Sequence, residues 1–182
     1  MVSIIREERN WCSGTLISEN HILTAAHCLE IENAKDNLFV VLGSDNILDL
    51  DGYYRIEREI ENYFIHPNYE EDKHYYDVAI IKMDIGVPYD KNQVITPICL
   101  PKEPSENVNK RSGQLVTLTG YGATESGGEN QLLRFTTLQI YSQNWCNRTY
   151  TGRIINSLPD LFTSNVMCAG YTVSISYSIK KD

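Results

Sequence analysis

The chain has 182 residues, of which 42% are hydrophobic and 22% are charged, and this composition excludes a disordered or a fibrous protein. It carries 16 Lys and Arg against 24 Asp and Glu, a formal net charge of −8 with no basic block, so nucleic acid is not expected as a partner. No apolar run reaches the roughly 18 residues of a membrane span, and Met1–Arg6 lacks the features of a secretory signal, so no membrane partner is expected.

Short hydrophobic runs separated by turn residues predict an all-β chain. The predicted strands are Val2–Ile5, Thr15–Ile17, Ile22–Thr24, Leu38–Leu42, Tyr53–Ile60, Val78–Lys82, Gln114–Thr119 and Leu132–Ile140. Two short helical segments are predicted, Ala25–Leu29 and one beginning at Ser142, whose hydroxyl could cap a turn through Trp145. The pattern alone predicts either a barrel or a sandwich.

Five cysteines are spread along the chain, without a C-x-x-C pair and without the Cys/His spacing of a zinc site. They are Cys12, Cys28, Cys99, Cys146 and Cys168. Wide spacing between hydrophobic strands predicts disulfides and an oxidising compartment, which conflicts with the missing secretory signal. Because five is odd, at least one cysteine has no partner within this chain.

One histidine and one aspartate stand in unusual surroundings. His27 lies among small and apolar residues, where it is either a satisfied core residue or a functional group. Asp77 directly precedes the apolar run Val78–Ile81, where it either caps a strand end or is a buried carboxylate that needs a partner, such as a histidine N–H. His66, before a proline, and His74, in an acidic stretch, are interpreted as solvated loop residues.

Six short motifs follow one another in a fixed order along the chain. The motifs are Cys12–Ile17, Thr24–Cys28, Tyr76–Ile81, Pro97–Pro101, Gly120–Gly122 and Met167–Gly170. Together they resemble the trypsin/chymotrypsin family of serine endopeptidases from about Val2 to Tyr171. The resemblance implies an all-β fold, a chymotrypsin-like double β-barrel with the first barrel near complete and the second barrel incomplete.

The same resemblance implies a division of the chain. Residues 1–182 are expected to form a fragment of a single trypsin-like peptidase domain, with the first barrel and linker at about 1–100, a partial second barrel at 101–171 and a divergent tail at 172–182. We expect truncation at both ends, because the family's activation terminus would precede Met1 and its serine loop would follow Tyr171.

The family's mechanism uses a serine that attacks the scissile carbonyl, a histidine that takes the serine proton and an aspartate that orients the histidine. The motif match assigns the general base to His27 and the orienting carboxylate to Asp77. The serine nucleophile is absent, because no Gly-Asp-Ser-Gly-Gly occurs in the sequence. The similar segment around Ser126 has Thr124 in place of a glycine and is interpreted as a surface loop. The tail hydroxyls are not followed by a glycine that would build the oxyanion turn: Ser174, Ser176 and Ser178.

The resemblance therefore predicts a trypsin-like serine endopeptidase domain, acting on protein or peptide substrates, that is inactive as given because the nucleophile loop is missing. An alternative is a non-catalytic serine protease homologue that acts as a binding or regulatory protein. A binding sandwich whose motifs match by accident is a third hypothesis.

The resemblance also implies disulfides between Cys12 and Cys28 and between Cys146 and Cys168. Cys99 would then be unpaired or inter-chain, tethering the domain to an upstream propeptide or light chain; the alternative is a free, buried thiol. The family and the cysteine pattern predict a secreted, extracellular protein, although this chain shows no signal peptide.

Three smaller features complete the expectations. Asn147-Arg148-Thr149 is a glycosylation sequon. The acidic stretch 43–54 resembles a calcium loop of some family members, but Ser44 and Tyr54 fall where ligand carboxylates are expected. We predict no metal and no cofactor, with calcium at this loop as the alternative.

Overall fold

The computed structural model describes residues 1–73, 75–88, 94–101, 111–122, 131–150 and 166–171. The chain divides into two compact units, Met1–Lys102 with Thr119–Arg134 and Glu103–Leu118 with Phe135–Asp182. Within the described ranges, no helix has the length and apolar character needed to span a membrane.

The first unit is built on a closed barrel of six antiparallel strands. The strands are β1 (Val2–Arg6), β2 (Arg9–Leu16), β3 (His21–Thr24), β4 (Phe39–Leu42), β5 (Ile56–Ile65) and β6 (Ala79–Met83). Their order around the barrel is β1-β2-β3-β6-β5-β4, and β4 pairs with β1 to close it. Closure leaves no unpaired strand edge in this unit's sheet, so every strand can satisfy its backbone on both sides.

The barrel core consists of aliphatic side chains that alternate along the strands. Alternation is clearest in β6, where Ala79, Ile81 and Met83 are buried and the two residues between them are half-buried. β1 is buried almost throughout, and its one buried polar residue, Ser3, donates its hydroxyl to Asn10 Oδ1 at 2.6 Å. The largest fully buried side chains include Ile4, Ile22, Leu29, Leu42, Ile81 and Met83.

Three short helical segments connect the strands of the first unit within its described residues. A 3-10 helix covers Ala26–Leu29, as predicted, and the others are α1 (Ala34–Asn37) and a second 3-10 turn at Glu71–Lys73, which the sequence pattern did not predict. The prediction of a strand from Tyr53 was wrong at its start, because β5 begins at Ile56 and continues to Ile65. Tyr53 and Tyr54 belong instead to a loop that is held by Arg55.

The described residues that follow the barrel in sequence form a three-stranded sheet of order β7-β8-β9, with β7 at Leu115–Gly120, β8 at Arg134–Tyr141 and β9 at Cys168–Gly170. α2 covers Gln143–Tyr150, and the Trp145 backbone N–H donates to the Ser142 hydroxyl at 3.2 Å, the predicted cap. The pattern did not predict β9, which is only three residues long. The prediction of an all-β fold with few helices is confirmed.

Candidate active site

The register of two neighbouring strands brings His27 and Asp77 together. β3 and β6 are antiparallel, and Thr24, at the end of β3, pairs with Ala79, at the start of β6. His27 lies three residues after Thr24 and Asp77 lies two residues before Ala79, so both fall at the same end of the barrel although 50 residues separate them. The sequence could suggest this pairing only through the resemblance, since the strand register is not visible in the residue pattern.

Asp77 binds His27 through both carboxylate oxygens. Oδ2 lies 2.7 Å from the ring Nδ1, and Oδ1 accepts the His27 backbone N–H at 2.9 Å. A carboxylate can only accept, so Nδ1 carries the proton and Nε2 of the neutral ring is left as the basic nitrogen. The His27 side chain is 49% exposed and that of Asp77 is 21% exposed, so the pair lies at the surface with the carboxylate beneath the ring.

The pKa of Asp77 is lowered below its ordinary value by its contacts. Partial burial alone would raise the pKa of this carboxyl, but hydrogen bonds from the His27 backbone and ring and from the Ala26 backbone outweigh burial. Asp77 is therefore ionised at neutral pH. An ionised carboxylate at Nδ1 fixes the ring tautomer and stabilises a positive charge on the imidazole.

The 3-10 helix that carries His27 is anchored to β2 in two ways. A disulfide joins Cys12 to Cys28, the pairing that the resemblance implies. Beside it, the Trp11 indole N–H donates to the Cys28 carbonyl at 2.9 Å, and the Arg6 guanidinium lies 5.0 Å from the centre of the Trp11 ring. Sequence reasoning missed Trp11, for which the only available signal was its place directly before Cys12.

The segment that carries Asp77 is a tight turn with an unusual backbone. Tyr76 has φ of +53°, a left-handed conformation that costs a non-glycine residue about 1–2 kcal/mol. The Val78 N–H donates to the Tyr76 carbonyl at 2.7 Å, so Asp77 is the central residue of a three-residue turn. The Asp77 side chain therefore projects from the apex of a turn that the hydrogen bond between Val78 and Tyr76 closes.

His66 contacts this turn; it is a loop residue, as predicted, but it is half-buried rather than fully solvated. Its ring stacks on Tyr76 with 4.9 Å between centroids and an interplanar angle of 8°. Its Nδ1 accepts the Asn68 backbone N–H at 3.1 Å, and its own backbone N–H donates to the Val78 carbonyl at 3.0 Å. Sequence reasoning judged it only by the proline that follows, which gives no sign of the distant Tyr76. His74 lies outside the described residues.

Tyr69 and Glu30 form a second link near the pair. The Tyr69 hydroxyl donates to Glu30 Oε2 at 2.8 Å across 39 residues of sequence. Burial raises the pKa of Tyr69, and the hydrogen bond and charge of Glu30 raise it further, followed by the negative charges of Asp77 and Glu71. The phenol therefore stays protonated and acts as a donor. The sequence pattern did not predict this hydrogen bond between Tyr69 and Glu30.

Sulfur and nitrogen atoms also gather at His27, but they do not form a thiolate metal site. Ligand atoms of Cys12, His27 and Cys28 lie within 4.8 Å of one another, and Nε2 lies 3.6 Å from Cys28 Sγ. Both sulfurs belong to the disulfide, so neither is available as a thiolate. The cluster is therefore a covalent anchor beside the imidazole.

The Arg55 guanidinium holds the acidic loop before β5, residues 43–54. The Arg55 side chain is 6% exposed; it donates to the Ile47 carbonyl at 3.0 Å and to Glu57 at 2.6 Å. Gly43 enters the loop at φ +71°, where a Cβ would collide with the Tyr54 backbone. Calcium needs six to eight oxygen ligands. In this structure the Ile47 carbonyl and Glu57 Oε1 are instead bound by Arg55.

The remaining candidate positions are distributed over the molecule. Cys146 and Cys168 form the second disulfide that the resemblance implies, between α2 and β9. Cys99 is an exposed free cysteine, so the interpretation as a buried thiol was wrong. Asn147 is exposed on α2. Ser126 and the three serines of the tail lie outside the described residues.

A closed six-stranded antiparallel barrel, followed by a second sheet, is the architecture of chymotrypsin-like serine proteases. Comparison with solved structures agrees. Neuropsin, a serine protease expressed in the limbic system of mouse brain, matches with a TM-score of 0.72 and 26% sequence identity, over 94% of this chain and 69% of its own. The predicted chymotrypsin-like fold is confirmed.

Sequence comparison places the chain in a family. The model of the trypsin family matches residues 1–179, and the chain belongs to this family as a trypsin-like serine protease domain. Among its relatives, the clotting factor G beta subunit of Tachypleus tridentatus is 29% identical over 92% of this chain and 53% of its own length. The venom serine protease Bi-VSP of Bombus ignitus is 34% identical over 88% of this chain and 43% of its own length. The chain thus spans about half the length of these relatives.

Proposed function

We propose that this chain is a serine endopeptidase domain in which His27 is the general base and Asp77 orients it. The observation that carries the proposal is the pair of hydrogen bonds from His27 to Asp77, one from the ring at 2.7 Å and one from the backbone at 2.9 Å. Two contacts fix both the position and the rotation of the imidazole. Membership of the trypsin family supports protein or peptide substrates.

The geometry supports a separate role for each nitrogen of the ring. Nδ1–H donates to an ionised carboxylate, so Nε2 is free of a proton and can accept one from a serine hydroxyl as that oxygen attacks a carbonyl carbon. The ring then carries a positive charge, which Asp77 stabilises. When the amine leaves, Nε2 returns the proton to it, and the pair is ready for the hydrolysis of the acyl-enzyme.

A polypeptide of these 182 residues contains no Gly-Asp-Ser-Gly-Gly, and we propose that it is without hydrolytic activity as given. In that polypeptide the base and its orienting carboxylate would be preorganised. The serine from which the base takes a proton and the backbone N–H groups that stabilise the oxyanion would be lacking. A non-catalytic homologue that binds or regulates partners is the second candidate. It is supported by the closed barrel and by the two disulfides of the described residues.

Three further proposals concern the setting of the domain. Cys99 is exposed between Ile98 and Leu100, which are 59% and 54% exposed, so a tether to an upstream propeptide or light chain could reach it. Two disulfides support an oxidising compartment, and relatives described as clotting and venom proteases support secretion. The Asn147 sequon would be accessible to glycosylation there.

A fluorophosphonate probe, which forms a covalent bond with an activated serine, tests the inactivity. We expect no labelling of the 182-residue polypeptide, and the same result for its His27→Ala variant. Labelling that His27→Ala abolishes would show that another serine serves as the nucleophile and would overturn the proposed inactivity. The regulatory alternative requires a soluble, folded product, so expression only as insoluble, protease-sensitive material would contradict it.

A further inference from the structure

The turn before β6 holds Tyr76 in a conformation that its own side chain disfavours. A tyrosine at φ +53° persists only where surrounding contacts compensate for the strain. Because Tyr76 directly precedes Asp77, the φ and ψ angles of Tyr76 determine where the Asp77 carboxylate points. The contact that stabilises this conformation therefore affects the distance between Asp77 and His27.

The Tyr76 side chain contacts the ring of His66. It lies parallel to the Tyr76 ring, with 4.9 Å between centroids. The His66 ring is itself fixed, because Nδ1 accepts the Asn68 backbone N–H at 3.1 Å, so it presents a fixed face to Tyr76. The backbone strengthens the arrangement, since the His66 N–H donates to the Val78 carbonyl at 3.0 Å. Asp77 is thus flanked on both sides by residues that contact His66.

We propose that His66 and Tyr76 are positioning residues for Asp77: their stacked rings hold the left-handed turn that aims the carboxylate at His27. This inference rests on the proposed role of Asp77 as the orienting carboxylate. Neither ring contacts the reacting atoms, so both act only through the direction of Asp77. Loss of either ring should leave the barrel intact but loosen the contact between Oδ2 and Nδ1.

The tautomer of the His27 ring reports this contact without any need for enzymatic activity. The ¹⁵N chemical shifts of the ring, measured in the 182-residue chain at about pH 9, where an ordinary imidazole is neutral, give the ratio of the Nδ1–H to the Nε2–H form. The wild-type chain should show mainly Nδ1–H. In His66→Ala and Tyr76→Ala we expect this ratio to fall by about tenfold, the equivalent of ~1.4 kcal/mol.

Matched variants separate the stack from a general loss of structure. Tyr76→Phe keeps the ring and should retain the wild-type tautomer ratio, and so should Tyr53→Ala, which removes an aromatic side chain that is 91% exposed. His66→Gln keeps a polar acceptor for the Asn68 N–H but removes the ring, and it should behave like His66→Ala. Backbone amide shifts of β6 should be unchanged in every variant that is compared.

The outcomes distinguish this inference from the proposed function. If Asp77→Asn lowers the ratio while His66→Ala, His66→Gln and Tyr76→Ala stay within twofold of wild type, the positioning role is wrong and the proposed role of Asp77 stands. If Asp77→Asn leaves the ratio unchanged, Asp77 does not orient His27 and the proposed function fails with it. A fall in Tyr76→Phe equal to that in Tyr76→Ala would also overturn the stacking argument.

Discussion

Replacement of Asp77 by asparagine should destabilise the folded chain at neutral pH but not in acid. Asparagine has the same shape and keeps one oxygen for the His27 backbone N–H, so the change removes the charge and the acceptor at Nδ1. A hydrogen bond to a charged group contributes roughly 1.5–3 kcal/mol. Because the His27 side chain is 49% exposed, water competes for this bond, and we expect a loss of about 1–2 kcal/mol.

The pH dependence follows from the direction of the Asp77 pKa. The folded-state pKa lies below the ordinary value of 3.8, so the folded chain holds this proton less tightly than the unfolded chain does. The resulting stability is fully present above the unfolded pKa and is lost as pH falls through the folded pKa. The difference between wild type and Asp77→Asn should therefore be present at pH 7 and shrink towards zero in strong acid.

Urea unfolding at pH 7 and at about pH 2 measures this difference, with the slope of the transition checked for each protein. The matched control is Asp51→Asn, in an exposed residue of the loop before β5, which should change the stability little at either pH. An equal loss for Asp77→Asn at both pH values would mean that its cost is steric rather than electrostatic. No loss at pH 7 would mean that the carboxylate does not bind His27 in solution.

Three further changes test the anchors of the first unit. Replacing Cys12 and Cys28 together by serine opens a loop of 16 residues and should lower the stability to urea by about 3 kcal/mol; an unchanged midpoint would exclude a stabilising crosslink. Trp11→Phe keeps an aromatic ring but removes the indole donor to the Cys28 carbonyl, for an expected loss of about 1 kcal/mol; equal midpoints would show that water replaces the donor. Tyr121→Phe removes a 2.6 Å hydrogen bond from the Tyr121 hydroxyl to the Ser44 carbonyl. Because burial raises the pKa of Tyr121 above 10.0, the stability that wild type gains over this variant should be full at pH 7 and lost as pH rises through the folded-state pKa. A stability difference that persists in strong alkali would contradict this assignment.

Most strands of the barrel could be predicted from the sequence because they contain a short hydrophobic run between turn residues. β2 is the exception: it begins at Arg9 and is polar over most of its length, so only its end, from Thr15, was predicted. All eight predicted strands overlap an observed one, from β1 to β8. The errors have local causes. β5 starts late because the buried Arg55 keeps the residues before it in a loop, and α1 and β9 are too short to show a periodicity.

The candidate site could likewise be predicted only in part. His27 and Asp77 were found through motifs, whereas their contact depends on the pairing of Thr24 with Ala79, which no local pattern reveals. The supporting residues were missed because their roles are purely spatial. No local pattern indicates that the His66 ring stacks on Tyr76 or that the Trp11 indole donates to the Cys28 carbonyl.

The most direct test of the account asks whether His27 acts as a general base once a nucleophile is supplied. Residues 1–171 would be joined to a trypsin-family C-terminal segment that carries Gly-Asp-Ser-Gly-Gly, and the rate of fluorophosphonate labelling would be measured in the folded, disulfide-bonded product. We predict labelling of the supplied serine that His27→Ala slows by about 10³-fold or more, while Ser126→Ala leaves it unchanged. Labelling at the same rate with and without the His27 imidazole would contradict the central claim.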